Sequence, residues 1–280
     1  MIDLHMHSLY SDGTSTTNEL VKMAMEKNMK LISLTDHDTI DGLSEMKKLC
    51  DENDIKFING IELSTVYNGK EVHILGYFLN IEDKKLLDFS KEMKKARVVR
   101  NEKTIKILNE HGLNITQEDT YKEAEGEIVS KTHLARAIVT KGYAADIAEA
   151  FKKYLGPNSI GYVPKMELSP LEGIKIIKDN GGLAFLAHPK LIGLDENEFL
   201  NLIKEMKGFG LDGLETYYST FSSEDIKYYE KISEDFSLIR SAGADFHGAN
   251  RVGIEIGDNF APSNLYEIWE EIYEKMKKRG

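Results

Sequence analysis

Six of the eight histidines in this 280-residue chain follow or end a predicted β-strand: His5, His7, His37, His73, His188 and His247. Three carboxylates occupy the same kind of position: Asp12, Glu62 and Asp245. Imidazoles and carboxylates without thiolates are ligands that suit Zn²⁺, Mn²⁺ or Fe²⁺. Nine such side chains exceed the needs of one ion, because zinc takes roughly four ligands and an octahedral ion six. The sequence therefore predicts two or three divalent cations that share a bridging carboxylate.

A centre of this kind predicts the hydrolysis of phosphate esters. Clustered divalent ions activate water as hydroxide and stabilise both the attacking and the leaving oxygen of an in-line displacement. We therefore expect a metal-activated hydroxide as the nucleophile, and no side chain is assigned as the general acid.

The positions of these residues favour a closed α/β barrel. In α/β folds the carboxyl ends of the strands face the functional crevice. A flat sheet could not bring the ends of nearly every strand to one point, whereas a barrel does so. Strand-like segments alternate with helical patterns and are predicted at 1–7, 31–35, 56–61, 183–187, 211–218 and 238–241.

A hairpin is predicted to bring two of the candidate ligands together. Asn68 and Gly69 lie between apolar runs, which is typical of a two-residue type I′ turn. This turn pairs Ser64 with His73, so Glu62 and His73 share a face one diagonal step apart, at about 7–8 Å between Cα atoms. The two side chains could therefore reach one ion.

The segment from about 83 to 161 has no strand-like runs and is richer in Lys and Glu. We interpret it as a helical insertion, with helices near 83–111, 117–125, 131–141 and 146–155, in a barrel formed by 1–82 and 162–280. Its cations are candidates for binding phosphate, although a charged residue on a helix is more often simply solvated. Earlier in the chain, we expect Asp38 to act as the N-cap of a helix that begins near Ile40.

Composition excludes other classes of protein. Lys and Arg number 36 against 47 Asp and Glu, giving a net charge of −11, which argues against a broad basic face for duplex DNA. The single cysteine, Cys50, excludes an internal disulfide framework and fits a reducing cytoplasm. No secretory signal and no apolar run of membrane-spanning length is present, so we expect a cytoplasmic location.

Four motifs resemble those of the PHP (polymerase and histidinol phosphatase) family: His5-x-His7-Ser8, Thr35-Asp36-His37, Ala187-His188-Pro189 and Asp245-Phe246-His247-Gly248. The helical insertion and the Lys131-x-His133-Leu134-Ala135-Arg136 segment are similar to the branch of stand-alone phosphoesterases that act on nucleoside 3′,5′-bisphosphates and short RNA ends. The resemblance implies a distorted seven-stranded (β/α) barrel with a trinuclear metal site.

The resemblance also implies how the nine ligands divide among three ions. The first ion would take His5, His7, Glu62 and Asp245. The second would share Glu62 and add His73 and His188, and the third would take Asp12, His37 and His247. Ala244 departs from the family pattern, which usually has Ser there, so a supporting hydroxyl is lost while the ligand Asp245 is kept.

Other side chains are expected to support the centre or bind substrate. Asp3 and Asp36 are expected to hydrogen-bond around the ligands, whereas Glu215 could be either a supporting hydrogen-bond acceptor or a base beside the metal. The resemblance implies that Arg100, His133 and Arg136 form a lid over the substrate phosphates. Lys131 and Lys165 are further candidates for this lid.

The leading functional hypothesis is hydrolysis of a terminal phosphate from a small nucleotide, such as a nucleoside 3′,5′-bisphosphate, or from short single-stranded RNA ends. A histidinol-phosphate phosphatase is the alternative within the enzyme class. A non-catalytic metal-binding module that accompanies a polymerase is the alternative outside it. The complete ligand set speaks against this module, because degenerate copies would be expected to lose ligands.

Overall fold

The computed structural model describes residues 1–124, 129–164 and 168–278. Seven strands form one sheet in chain order: β1 (Ile2–Asp3), β2 (Leu31–Leu34), β3 (Lys56–Tyr67), β4 (Lys70–Tyr77), β5 (Leu183–Leu186), β6 (Gly213–Tyr218) and β7 (Ile239–Gly243). Strand β4 runs antiparallel to both of its neighbours, and the remaining strand pairs are parallel.

The two edges of this sheet meet just beyond the ends of β1 and β7. The backbone amide of Leu4 donates to Ala242 O at 2.9 Å, and that of His7 donates to Phe246 O at 2.9 Å. These bonds close the sheet into a nearly complete barrel. The predicted seven-stranded α/β barrel is therefore confirmed.

Ten α-helices occur within the described ranges: α1 (Thr17–Glu26), α2 (Leu43–Glu52), α3 (Lys84–Glu110), α4 (Gln117–Glu123), α5 (Lys131–Thr140), α6 (Ile147–Ala150), α7 (Pro170–Asp179), α8 (Glu196–Gly208), α9 (Ser223–Asp235) and α10 (Leu265–Lys277). Shorter helical turns lie at Phe151–Leu155, Pro189–Ile192 and Gly248–Asn250. In the part of the chain that the structure describes, none of these helices has the length and apolar character needed to span a membrane.

Local sequence signals account for several of these boundaries. Ser169 caps α7, where its side chain accepts from the backbone of Glu172 and Pro170 occupies the first turn, as the sequence predicts. The predicted cap at Asp38 is wrong. Helix α2 begins at Leu43 with Gly42 as its N-cap, and the Asp38 carboxylate instead accepts a hydrogen bond from the backbone of Ser64 at 2.8 Å.

The β3–β4 hairpin has the predicted turn and register. Asn68 and Gly69 have φ values of 50° and 76°, as a type I′ turn requires, and Ser64 pairs with His73. Strand β3 continues without interruption through Glu62 into the hairpin, beyond the predicted end at residue 61. One continuous strand thus joins the barrel wall to the hairpin that carries His73.

An aromatic cluster fills the end of the barrel where the parallel strands begin. Trp269 of α10 lies 5.4 Å from the rings of both Tyr77 and Phe185, measured between centroids, and its indole donates to Arg240 O. Aromatic pairs of this kind contribute about 0.5–1.5 kcal/mol beyond the burial of their area. This packing closes one end of the barrel and leaves the carboxyl ends of the strands at the other.

The second half of α3 shares an apolar core with α5 and α6, which includes Ile105, Leu108, Leu134 and Ile138, whereas Leu86 at the start of α3 belongs to the barrel core. This cluster is separate from the two clusters that hold the barrel and its surrounding helices together. This part of the helical insertion is therefore a packing unit, and the boundaries at residues 83 and 161 stay a prediction.

Replacing Gly213 with Ala should destabilise the barrel. A Cβ at this position in β6 would collide with the ring of Phe185 and approach Ile239 O to 2.5 Å. We expect a loss of about 1–3 kcal/mol in the free energy of unfolding, measured by urea denaturation. Gly208→Ala, at an exposed position with no atom near the new methyl, is the matched control and should retain full stability. Equal stability of both variants would contradict the packing described here.

Candidate metal centre

The structure brings all nine predicted ligands to the carboxyl end of the barrel. Most lie just beyond strand ends, while Glu62 and His73 lie within β3 and β4. The barrel closure beside β1 and β7 places the segments of His5 and Asp245 against each other, since the Asp245 amide donates to His5 O at 2.8 Å. The site thus depends on the closed barrel.

Glu62 is the centre of this arrangement and is only 1% exposed. Its Oε1 lies 2.9 Å from His73 Nδ1 and 2.9 Å from His188 Nε2. Its Oε2 lies between 3.1 and 3.3 Å from one ring nitrogen of each of three further histidines: His5, His7 and His37. One carboxylate therefore faces five imidazoles, as a bridging ligand would.

Among the described residues, three groups of side chains each place their ligand atoms within 4.8 Å of one another. They are His5, His7, Glu62 and Asp245, then His37, Glu62 and His73, then His7, Asp12, His37 and His247. The first group equals the first predicted set. The other two differ from the predicted sets because His7 and His37 each lie in two groups, while His188 reaches the centre through Glu62.

The donor atoms fit a divalent cation. Within the described residues, buried Glu62 Oε2 and His37 Nδ1 make no hydrogen bond, although they face each other at 3.3 Å. Buried polar atoms almost always have a hydrogen-bond partner, so two such atoms side by side without one are suited to bind a shared cation. Nitrogen and oxygen donors without sulfur match Zn²⁺, Mn²⁺ or Fe²⁺.

The carboxylates make this buried site strongly attractive to positive charge. Burial alone would raise the pKa of Glu62, but the neighbouring histidines, including His5, His73 and the hydrogen-bonded His188, hold it well below its usual range. Burial alone would lower the pKa of His7, but hydrogen bonds to Asp245 and Glu62 raise it to about 10. Burial lowers the pKa of His37 to about 3, so this ring is a neutral donor.

Glu215 has the geometry of a supporting acceptor, one of its two predicted roles. It is fully buried, its Oε1 lies 2.9 Å from His5 Nδ1, and its Oε2 accepts from the backbone of His188 at 2.6 Å. A carboxylate on one ring nitrogen fixes the tautomer and aims the other nitrogen at the metal. Glu215 therefore orients His5 Nε2 toward Glu62.

Asp3 anchors the backbone around His5. Its carboxylate accepts from the amides of His5 and Ala244 at 3.1 Å each and from Gly257 at 2.6 Å. Burial raises the pKa of Asp3 to about 6. The contact from Ala244 uses the main chain, so it persists without the hydroxyl that the family usually has there.

Asp36 holds the loop that follows His7. Its carboxylate accepts from Ser8 N at 2.8 Å, from Ser8 Oγ at 2.6 Å and from Ser11 Oγ at 2.6 Å. Because this loop leads directly to Asp12, the hydrogen bonds to Asp36 help to fix the position of that predicted ligand.

Two adjoining cavities of about 360 and 590 Å³ open beside the centre and share five lining residues: Asp12, His37, Glu71, His73 and Thr132. The larger cavity lies against the insertion and is lined by Arg97, Arg100 and Lys131. Arg97 donates to His37 O at 3.1 Å and lies 3.3 Å from Asp38. Burial and the charge of Arg97 lower the pKa of Arg100.

The remaining predicted substrate residues differ in their placement. Arg100 and Lys131 line the larger cavity, with Lys131 Nζ 5.1 Å from the centroid of Tyr162. His133 is buried and accepts from the backbone of Ser130 in the capping box of α5. Lys165 lies outside the described residues.

Arg136 links the insertion to the barrel. It donates to the side chain of Asn250, and Asn250 Nδ2 donates to Asp12 O at 2.6 Å. Arg136 thus contacts the loop of the predicted ligand Asp12 indirectly, through the side chain of Asn250.

Two residues beside the centre were not among those predicted. Arg251 Nη1 and the hydroxyl of Tyr218 both donate to Asp245 Oδ2, at 2.5 and 2.7 Å. In the sequence, Tyr218 resembles a core residue, and Arg251 lies in an irregular loop. The only signal for Arg251 was its position four residues after His247.

The fold and this cluster define a member of the PHP family, since residues 3–280 match the PHP domain. The chain is 30% identical to a 3′,5′-nucleoside bisphosphate phosphatase of Chromobacterium violaceum, over 97% of this chain and 96% of that protein. It is 30% identical to a 5′-3′ exoribonuclease of Haemophilus influenzae, over 96% of this chain and 98% of that protein.

Solved structures agree with this family. One from Chromobacterium violaceum, described as an amidohydrolase with bound sulfate and no metal, superimposes with a TM-score of 0.87 at 29% identity, over 98% of this chain and 96% of that one. A second structure, from Bifidobacterium adolescentis and described as a metal-dependent phosphoesterase, superimposes with a TM-score of 0.83 at 26% identity. The match covers 95% of this chain and 94% of that one. The predicted family, and with it the class of hydrolases that act on phosphate esters, is confirmed.

Neutralising Glu215 should weaken metal binding. Glu215→Gln removes the charge that fixes His5, and losses at such supporting positions typically cost 10–100-fold in affinity. We expect a decrease of about 10–100-fold in Mn²⁺ affinity by isothermal titration calorimetry. Glu234→Gln, an exposed carboxylate of α9, should bind like the wild type. An unchanged affinity in Glu215→Gln would refute the orienting role.

Metal affinity should rise with pH. In the metal-free protein His7 holds a proton up to a pKa of about 10, and this proton must leave when a cation binds. Each proton released gives about a tenfold gain in apparent affinity per pH unit, up to that pKa. Titrations in chelator-buffered Mn²⁺ between pH 6 and 9 measure this slope. A flat profile would show that no buried proton is displaced.

Proposed function

We propose that this chain is a metal-dependent phosphoesterase that removes a terminal phosphate from small nucleotides, such as nucleoside 3′,5′-bisphosphates, or from short single-stranded RNA ends. The observation that carries the proposal is the position of the Glu62-centred cluster, which lies beside two cavities, the larger of which is lined by Arg97, Arg100 and Lys131. Full-length relatives named as a nucleoside bisphosphate phosphatase and an exoribonuclease support it.

The residues proposed to hold two or three ions of Mn, Zn or Fe are His5, His7, Asp12, His37, Glu62, His73, His188, Asp245 and His247. Divalent cations at such a site activate water as hydroxide and neutralise the charge on a phosphate. Glu62 lies at the centre of the group and presents its two oxygens to different histidines, Oε1 to two of them and Oε2 to three, which favours more than one ion. Asp3, Asp36 and Glu215 hold the segments that carry these ligands.

The cations of the larger cavity are proposed to bind a second anionic group of the substrate. Arg100 forms no hydrogen bond or ion pair with the described residues, and it faces the same cavity as Lys131. A guanidinium suits phosphate oxygens because it offers several donors in a fixed plane. His133, Arg136 and Lys165 stay proposals for this lid. The structure supports His133 and Arg136 less than Arg100, since they engage Ser130 and Asn250.

This charge pattern favours a nucleotide over histidinol phosphate. Beyond its phosphate, histidinol phosphate carries an amine. Asp38 and Glu71 also line this cavity, and Asp38 pairs with Arg97, so Arg100 and Lys131 are the cations that would repel the amine. A nucleoside bisphosphate or an RNA end presents a second anion to the same cations. The two cavities also have volumes within the range of 300–1,000 Å³ or so that is usual for ligand pockets.

Phosphate release measured colorimetrically tests this function. With Mn²⁺ we expect release from adenosine 3′,5′-bisphosphate and not from histidinol phosphate, and we expect the activity to vanish with a chelator. Full metal loading of the folded protein without any phosphate release would favour the non-catalytic module. Preference for histidinol phosphate would favour the alternative enzyme.

Arg100→Met should act on substrate binding. Loss of a charge-assisted contact of about 1.5–3 kcal/mol predicts a KM for adenosine 3′,5′-bisphosphate raised by about 10–100-fold. Hydrolysis of p-nitrophenyl phosphate, which lacks the second anion, should be unaffected. Lys103→Met, an exposed cation one turn further along α3, is the matched control. Equal loss on both substrates would place Arg100 at the scissile phosphate instead.

A further inference from the structure

The two oxygens of Asp245 have different surroundings. Oδ1 lies 3.3 Å from His5 Nε2 and 3.3 Å from His7 Nε2, inside the first ligand group. Oδ2 points away from these rings and accepts from Tyr218 and Arg251. One oxygen therefore faces the proposed metal, while the other is held by donors.

Arg251, Tyr218 and the Asp245 carboxylate form a hydrogen-bonded triad in which each group contacts the other two. Arg251 Nη1 donates to both Asp245 O, at 3.0 Å, and Asp245 Oδ2, while Nη2 donates to the hydroxyl of Tyr218 at 2.7 Å. The guanidinium carbon also lies 5.2 Å from the centroid of the Tyr218 ring. Because the Tyr218 hydroxyl accepts from Arg251, its own proton is directed to Asp245.

The backbone of Asp245 makes this support necessary. Its φ of 55° lies in the left-handed region, which a residue with a side chain seldom adopts. Arg251 binds both the carbonyl and the carboxylate of Asp245, and the Asp245 amide donates to His5 O. The ligand is thus held at three points before any cation binds.

From these contacts we propose that Arg251 is a positioning residue that, together with Tyr218, restricts Asp245 to binding metal through Oδ1 alone. The inference rests on the proposed function in that it requires a metal at the first ligand group. A carboxylate with one oxygen fully engaged cannot chelate an ion through both oxygens. Arg251 thereby sets the coordination number at this site and leaves a coordination position open for water or phosphate.

Metal binding and the Co²⁺ absorption spectrum test this inference directly. Without Arg251, Asp245 loses the contacts that position it, and its carboxylate is free to rotate and chelate. We expect the loss of positioning in Arg251→Met to lower Co²⁺ or Mn²⁺ affinity by about 10–100-fold. It should also weaken the visible Co²⁺ bands, because a higher coordination number lowers their intensity. Arg251→Lys keeps one charged donor and should recover part of the spectrum. Arg240→Met is the matched control, since Arg240 is about as exposed as Arg251 and also pairs with a carboxylate.

Tyr218→Phe keeps the buried ring and removes one donor, so it gives a readout even if Arg251→Met fails to fold. We expect a smaller change in the same direction from this variant. A wild-type affinity and spectrum in Arg251→Lys and Tyr218→Phe, or in a folded Arg251→Met, would overturn the inference. Wild-type protein that binds Co²⁺ yet releases no phosphate would instead contradict the proposed function and leave the spectral comparison valid.

Discussion

The arrangement of this protein depends on one buried carboxylate, Glu62, facing five imidazoles. An ionised carboxylate in an apolar interior is unfavourable unless it is paired, so the histidines and the proposed cations stabilise one another through it. The barrel must close to supply this pairing, because the histidines come from four separated stretches of chain. The closed barrel is thus what brings the ligands of the centre together.

Strained backbone conformations occur beside this carboxylate, as they do at several turns elsewhere in the described chain. Three residues beside the centre, Asp38, His188 and Asp245, have positive φ values of 57°, 24° and 55°. Such conformations persist only where surrounding contacts enforce them, and each of these residues is held by a side chain or strand next to the centre. The ligand geometry is therefore set by the folded chain before a cation arrives.

The sequence predicted best those features that depend on local periodicity. The Asn68–Gly69 turn fixed the register of β3 and β4, and with it the approach of Glu62 to His73, because alternation and turn type act over a few residues. The partners of cations on helix surfaces have no such local signal, so the contact of Arg136 with Asn250 could not be predicted. The same is true of Arg251, whose partner Tyr218 lies 33 residues away in the chain.

The aromatic packing at the opposite end of the barrel has a spectroscopic consequence. Trp269 is the only tryptophan of the chain and is fully buried against Tyr77 and Phe185, where the parallel strands begin. The centre lies where those strands end. The intrinsic fluorescence of this protein consequently monitors the docking of α10 on the barrel, and it offers an optical signal for folding that is spatially separate from the chemistry.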